Sequence, residues 1–194
     1  TFDLTLFRGV TTGGDAVTIV GENFGKTQST LNRQQNPRQS KVVAQYGQTI
    51  NYSDYNAQWC NITDDETQVV CMTAPGVGGY HWWTISAGGQ WSNASTNITF
   101  YRSPNITKLS PMSGPSTGGT ILTISGNNFG LSTFPRGRVI VTVGSRLPCS
   151  LISQDHTEIV CEMPAHPFGV ANLTLTVDGQ ETVQGEVLFY YYEV

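Results

Sequence analysis

Two glycine-rich stretches are the first candidates for chemistry. TTGGDAVTIVGENFG runs from Thr11 to Gly25, and STGGTILTISGNNFG runs from Ser116 to Gly130. Glycine-rich loops can cradle phosphates when they follow a strand and open a helix. Here Gly118-Gly119 precedes a β-like run, and neither GENFG nor GNNFG carries the Lys-Ser/Thr that a phosphate loop needs. Gly76 to Gly79 reads as a turn between strands. His81, His156 and His166 have no histidine partner at i+2 or i+4, so metal ligation is not expected and surface or turn roles are. Ser153, Asp155 and His156 stand too close in sequence to form a catalytic triad. Asp64-Asp65-Glu66 lacks the spaced ligands of a calcium loop and reads as a solvated turn. The expectation is no catalytic residue, no metal site and no cofactor.

The residues that do form a pattern are cysteines and asparagines. Cys60 and Cys71 are 11 apart, and Cys149 and Cys161 are 12 apart. No C-x-x-C spacing is present, which argues against a zinc or thioredoxin-like site. Four cysteines allow three connectivities. The repeat described below favours Cys60–Cys71 and Cys149–Cys161, each bridge stabilising its domain by about 3 kcal/mol on a loop-entropy estimate. Six N-x-S/T sequons occur, at Asn51, Asn61, Asn93, Asn97, Asn105 and Asn172, none with an intervening proline. A sequon matters in a secreted chain, where its glycan must point to solvent. Cysteine pairs and sequons agree on an extracellular, eukaryotic protein carrying N-linked glycans.

The elements that hold these residues come in two copies. Thr12, Gly13, Gly14, Thr18, Ile19, Gly21, Asn23, Phe24 and Gly25 recur 105 positions later, from Thr117 to Gly130. Leu4 and Gly9 match Leu109 and Gly114. Gly89-Gln90 threads onto Gly179-Gln180, and Phe100-Tyr101 onto Phe189-Tyr190. The 194 residues therefore divide into two domains, 1–102 and 103–194, the first with a polar exposed loop inserted at about 26–41. The Ser103-Pro104 junction is short and stiff, which predicts a semi-rigid rod. Short β-branched runs such as Ile121–Ile124, Val139–Val143, Leu173–Val177 and Val187–Tyr190 predict strands, and no stretch of eleven or more residues has helical apolar spacing and caps. The fold expected is all-β, two consecutive β-sandwiches in tandem, which the resemblance given below makes immunoglobulin-like.

Net charge is −4 and only 12% of residues are charged, about half of the ~25% typical of soluble domains. No basic stripe is present to bind nucleic acid, and no apolar run is long enough to insert in a membrane. With no initiator Met and no leader, the chain reads as a mature segment or a slice of something longer.

The second copy resembles the IPT/TIG domains, immunoglobulin-like modules of plexins, the hepatocyte growth factor receptor group, fibrocystin-like proteins and Rel-type transcription factors. The matching residues are Ile106, Leu109-Ser110-Pro111, Gly114-Pro115, Gly118-Gly119-Thr120, Leu122 to Gly126, Asn128-Phe129-Gly130, Cys149, Ile159-Val-Cys161, Pro164 and Phe189-Tyr190. The first copy departs from the opening motif, with Leu6 and Phe7 where the second has Pro111 and Met112. The resemblance implies a β-sandwich in tandem arrays and no single function.

Sequons orient the strands, since a glycan cannot enter a core. With Asn172 outward, Leu173, Leu175 and Val177 face in. In the matching strand of copy one Trp83 and Ile85 take core positions, and Trp82 takes the place of Asn172 and is expected in solvent. With Asn97 outward, Ile98 and Phe100 face in while Thr99 and Tyr101 face out. In copy two Val187, Phe189 and Tyr191 face in, leaving Leu188, Tyr190 and Tyr192 as an outward apolar stripe. Trp82, Leu188, Tyr190 and Tyr192 are thus the interface candidates, for other copies or neighbouring IPT domains end to end, a protein ligand or a glycan. The first reading of function is a non-catalytic structural module of an extracellular glycosylated array or filament. Its alternatives are a stalk or adhesion segment of a cell-surface ectodomain, and a carbohydrate-binding accessory module.

Overall fold

The computed structural model describes residues 3–4, 7–33, 41–48, 52–133, 139–144, 146–182 and 187–194. The chain divides into two compact units, Thr1–Tyr101 and Arg102–Val194. The first contains β1 (Asp3–Leu4), β2 (Phe7–Gly9), β3 (Ala16–Val20), α1 (Gln28–Arg33), β4 (Val42–Gly47), β5 (Tyr55–Asn56), β6 (Cys60–Asp64), β7 (Gln68–Met72), β8 (Trp82–Ala87), β9 (Gln90–Trp91) and β10 (Thr99–Tyr101). One sheet runs β1-β3-β7-β6 and another β5-β4-β8-β9, while β10 pairs in parallel with β2. Inward Val17, Ile19, Ile62 and Val69 of the first sheet and Ala44, Tyr46, Trp83 and Ile85 of the second form the core.

The second unit contains β11 (Asn105–Ser110), β12 (Ser113–Pro115), β13 (Ile121–Asn127), β14 (Val139–Val143), β15 (Leu147–Pro148), β16 (Ser150–Gln154), β17 (Glu158–Glu162), β18 (Gly169–Val177), β19 (Gln180–Glu181) and β20 (Val187–Tyr192). Its sheets run β11-β13-β17-β16 and β12-β20-β18-β14-β15, with β19 also on β18. Alternation is regular along β18: Ala171, Leu173, Leu175 and Val177 are buried, and Asn172 is exposed. Disulfides join Cys60 to Cys71 and Cys149 to Cys161. The first links residues directly opposite in the β6–β7 ladder; the second reaches from the residue before β16 to β17.

Three expectations about the fold change, and a fourth, at Trp82, concerns the outward faces. The loop expected at 26–41 opens with α1, whose Leu31 is buried; residues 34–40 lie outside the described residues. The Thr27 hydroxyl accepts from the Thr30 amide at 3.3 Å, and Asp65 accepts from the Thr27 amide at 2.7 Å and the Thr30 hydroxyl at 2.8 Å. Those bonds pin the turn to the β6–β7 connection.

The facing of the first domain's last strand is reversed. Thr99 and Tyr101 are buried, and Ile98 and Phe100 are half-buried. The cause is the threading. Tyr101 pairs with Gly9 exactly as Tyr191 pairs with Gly114 in register, so Tyr101 corresponds to Tyr191 rather than to Tyr190. A slip of one residue exchanges every side chain between faces. In the second domain Phe189 and Tyr191 are buried and Leu188, Tyr190 and Tyr192 exposed, with Val187 half-buried.

Third, His81 is not a surface residue. It is buried edge-on against Tyr46, Tyr55 and Tyr101, with ring centroids 5.4–5.9 Å away.

Candidate functional site

The repeated glycine stretch is a structural tie. Gly13, Gly14, Gly118 and Gly119 all have φ between +72° and +85°, a conformation that favours glycine. Their amides are consumed inside the fold: Gly13 donates to Val10, Gly14 to Thr73, Gly118 to Pro115 and Gly119 to Met163, at 2.8–3.0 Å. An anion nest needs those N–H groups free and convergent. Downstream, Gly126 has no room for a side chain, since a Cβ would strike the Asn105 carbonyl and the Phe129 ring. Phe24 and Phe129 are buried plugs.

The polar candidates are also spent locally. Asp65 holds α1, the Asp64 carboxylate accepts from the Thr67 hydroxyl at 3.0 Å, and Glu66 pairs with Lys26 at 2.8 Å. Hydrogen bonds from the Thr27 amide and the Thr30 hydroxyl hold the Asp65 carboxyl below the usual carboxylate range. Asp155 closes its own turn through the Thr157 and Glu158 amides, both 2.8 Å, and they depress its carboxyl likewise. Burial pushes the neighbouring His156 ring below its ordinary value. His166 stacks on Tyr191, with centroids 5.0 Å apart.

A buried polar cluster lies in the core of the first domain. Tyr46 and Tyr101 place their hydroxyls 2.6 Å apart; Tyr101 donates to the Ala74 carbonyl at 2.5 Å, and the Ala74 amide donates to Tyr46 at 2.8 Å. The Trp83 indole donates to the Thr99 hydroxyl at 2.9 Å. Burial drives both the Tyr46 and the Tyr101 phenol well above the ordinary range, so they stay protonated and cannot act as bases. A surface cleft of about 380 Å³ is lined by Lys41, Val42, Val43, Ala57, Trp59 and Ile62, a set with one charge and no acid–base pair.

The outward faces remain. Trp82 is half-buried, not in solvent as expected, with Tyr52 beside it at 5.8 Å between centroids. Leu188, Tyr190 and Tyr192 do form an outward stripe, extended by Met112 and by Val170, which faces Tyr190 across the β18–β20 ladder. Phe100 is flanked by Tyr80 at 5.0 Å and by the Arg8 guanidinium at 5.7 Å. Asn61, Asn93, Asn97 and Asn172 are exposed and Asn105 is half-buried, while Asn51 lies outside the described residues. Sequence reasoning passed over two exposed tryptophans, Trp59 and Trp91; each stands two residues before a sequon, the signal that could have found them.

Comparison with known proteins agrees with this geometry. The IPT/TIG domain family model matches residues 3–100 and 104–191. Human fibrocystin-L is 33% identical over 123 residues, which cover 63% of this chain and 3% of that protein. Mouse plexin-A3 is 28% identical over 182 residues, covering 92% of this chain and 9% of that protein. A surface glycan-binding protein of Prevotella bryantii shares the fold with a TM-score of 0.52 at 14% identity, over 97% of this chain and 38% of that one. The chain thus spans under a tenth of either sequence relative. Matched over both of its units, the chain belongs to the IPT/TIG domain family and is a non-catalytic pair of such domains in tandem.

Proposed function

We propose that the pair is an extracellular stalk segment, a spacer within a larger cell-surface ectodomain. The observation that carries this is the family match running through both domains with three residues between the matched spans, together with kinship to plexin-A3 and fibrocystin-L. One disulfide per domain and six sequons support an oxidising, secretory route. Side-chain chemistry supports a spacer too, since polar groups that resemble a site are committed to internal ties.

A filament built from further copies is the second reading, and the outward Leu188, Tyr190 and Tyr192 stripe favours it. The accessory carbohydrate-binding reading is weakened at Trp82, which is half-buried with Tyr52 beside it. Electron micrographs of the chain at high concentration separate the first two. A stalk gives dispersed single particles; fibres that vanish in a Tyr190→Ser, Tyr192→Ser variant would overturn the stalk in favour of the filament.

A further inference from the structure

Of the four tryptophans, Trp83 is fully buried and Trp82 half-buried, whereas Trp59 and Trp91 are 53% and 52% exposed. A single exposed indole is ordinary; two in the same local sequence arrangement are not. Both exposed indoles stand in one arrangement, two residues before a sequon asparagine: Trp59-Cys60-Asn61 and Trp91-Ser92-Asn93. In each case the intervening residue turns inward. Cys60 is bonded to Cys71, and the Ser92 amide and hydroxyl both bond the Ile85 backbone, at 2.9 and 3.1 Å. In extended chain, positions i and i+2 leave on the same side. Asn61 and Asn93 are exposed. The Trp59 carbonyl accepts from the Met72 amide at 2.9 Å and the Met72 carbonyl from the Gln58 amide at 2.9 Å, so the chain stays tied to β7 just before Cys60.

The second domain supplies the comparison. Trp91 pairs with Ser86 as Glu181 pairs with Thr176, and the residue two beyond Glu181 is Val183, with no sequon. Trp59 faces Met72 as Ser150 faces Glu162, and the residue two beyond Ser150 is Ile152, again with no sequon. Where the asparagine is missing, so is the tryptophan.

We propose that Trp59 and Trp91 are stacking platforms for the first sugar of N-glycans carried on Asn61 and Asn93. A pyranose ring presents one apolar C–H face, and an indole presents a flat surface with a negative π face, so the two attract when held parallel. The covalent link is the tether that holds them. It forms between the asparagine Nδ2 and the anomeric carbon of a lipid-linked diphosphate sugar donor. The sugar–oxygen bond of the donor breaks, the diphosphate leaves, and one Nδ2 proton passes to solvent. The proposal rests on the extracellular reading.

The test is a pair of double-mutant cycles on the chain secreted from a eukaryotic host, crossing Trp91→Ala with Asn93→Gln and Trp59→Ala with Asn61→Gln. Asn→Gln removes the glycan without touching Ser95, whose hydroxyl accepts from the Trp83 amide at 3.0 Å. Glycopeptide mass spectrometry establishes occupancy, and acrylamide quenching and thermal midpoints read the stacking. Losing the glycan should raise indole quenching and lower the midpoint by about 3 °C in the tryptophan background, and do neither in the alanine background. Sequons occupied at Asn61 and Asn93 with no coupling, or empty there while others are filled, overturns the platforms and leaves the extracellular reading standing. A chain with no sequon occupied overturns both.

Discussion

The two domains solve one packing problem with different chemistry. Tyr46, His81 and Trp83 stand in the first where Val143, Ala171 and Leu173 stand in the second, and all six are buried. The exchange extends to the last strand, where Thr99 of the first domain corresponds to Phe189 of the second. A large indole beside a small hydroxyl thus replaces a leucine beside a phenyl ring. The first core is directional, since its rings must satisfy N–H and O–H groups. At the matching positions the second is apolar, with Val143, Ala171, Leu173 and Phe189, and carries no such demand there. The sheets differ in parallel. β18 is nine residues long and pairs with both β14 and β20, but in the first domain β8 meets β10 only through a bridge between His81 and Thr99. The frame therefore fixes strand order and turns, and leaves the core free to vary if neighbouring positions vary together.

That complementarity can be broken most severely at Trp83. Trp83→Leu should cost the first domain about 3 kcal/mol, the range for shrinking a fully buried aromatic. Adding Thr99→Phe moves the other half of the second domain's solution across and should restore at least half of the loss, read by chemical denaturation. A double variant no better than Trp83→Leu would show that the two cores are not exchangeable.

The shared tyrosines give a smaller contrast. The Tyr101 hydroxyl bonds both Tyr46 and the Ala74 carbonyl, whereas the Tyr191 hydroxyl donates to the Pro164 carbonyl at 3.0 Å. Tyr101→Phe should therefore destabilise by about 2 kcal/mol and Tyr191→Phe by about 1 kcal/mol. Equal losses would mean that the polar cluster of the first domain adds nothing beyond one hydrogen bond.

Acid should sharpen the difference further. Burial lowers the His156 value, so the folded second domain disfavours the protonated ring. Its contribution is complete above about pH 6.5 and is lost as pH falls through the folded value. Asp155 and Asp65 are also depressed, so theirs are complete above about pH 4 and lost as pH falls through their lowered folded values. His156→Gln should flatten the near-neutral slope of the second domain alone, and Asp155→Asn its acid limb, in midpoints followed against pH. An unchanged slope in His156→Gln would remove the histidine from this account.

The smallest effect is expected at Trp82. Trp82→Ala should trim the contact with Tyr52 and cost under about 1 kcal/mol, leaving self-association unchanged. A shift in association on that change would return Trp82 to the interface.

Much of this organisation was legible because repeats mark it twice. The inward Leu173, Leu175 and Val177 and Trp83 in the core follow from the sequons and a two-residue period. The facing of β10 was not legible, for an instructive reason. Threading Phe100-Tyr101 onto Phe189-Tyr190 gives two identities, and the pairing that the structure shows gives one, Tyr101 with Tyr191. Identity favoured the wrong register, and in a strand one residue decides which face is buried. The half-buried Trp82 has Tyr52 beside it, 30 positions away and without counterpart in the repeat logic. The α1 turn is short enough that its ties to Asp65, rather than any periodicity, hold it.

The function turns on whether the pair stands alone or builds on itself, and sedimentation velocity of the secreted, glycosylated chain over a hundredfold concentration range measures this directly. A stalk segment predicts one boundary at the monomer mass, with a coefficient that does not rise with concentration. A coefficient that climbs with concentration, or a second boundary that Tyr190→Ser and Tyr192→Ser abolish, would contradict it.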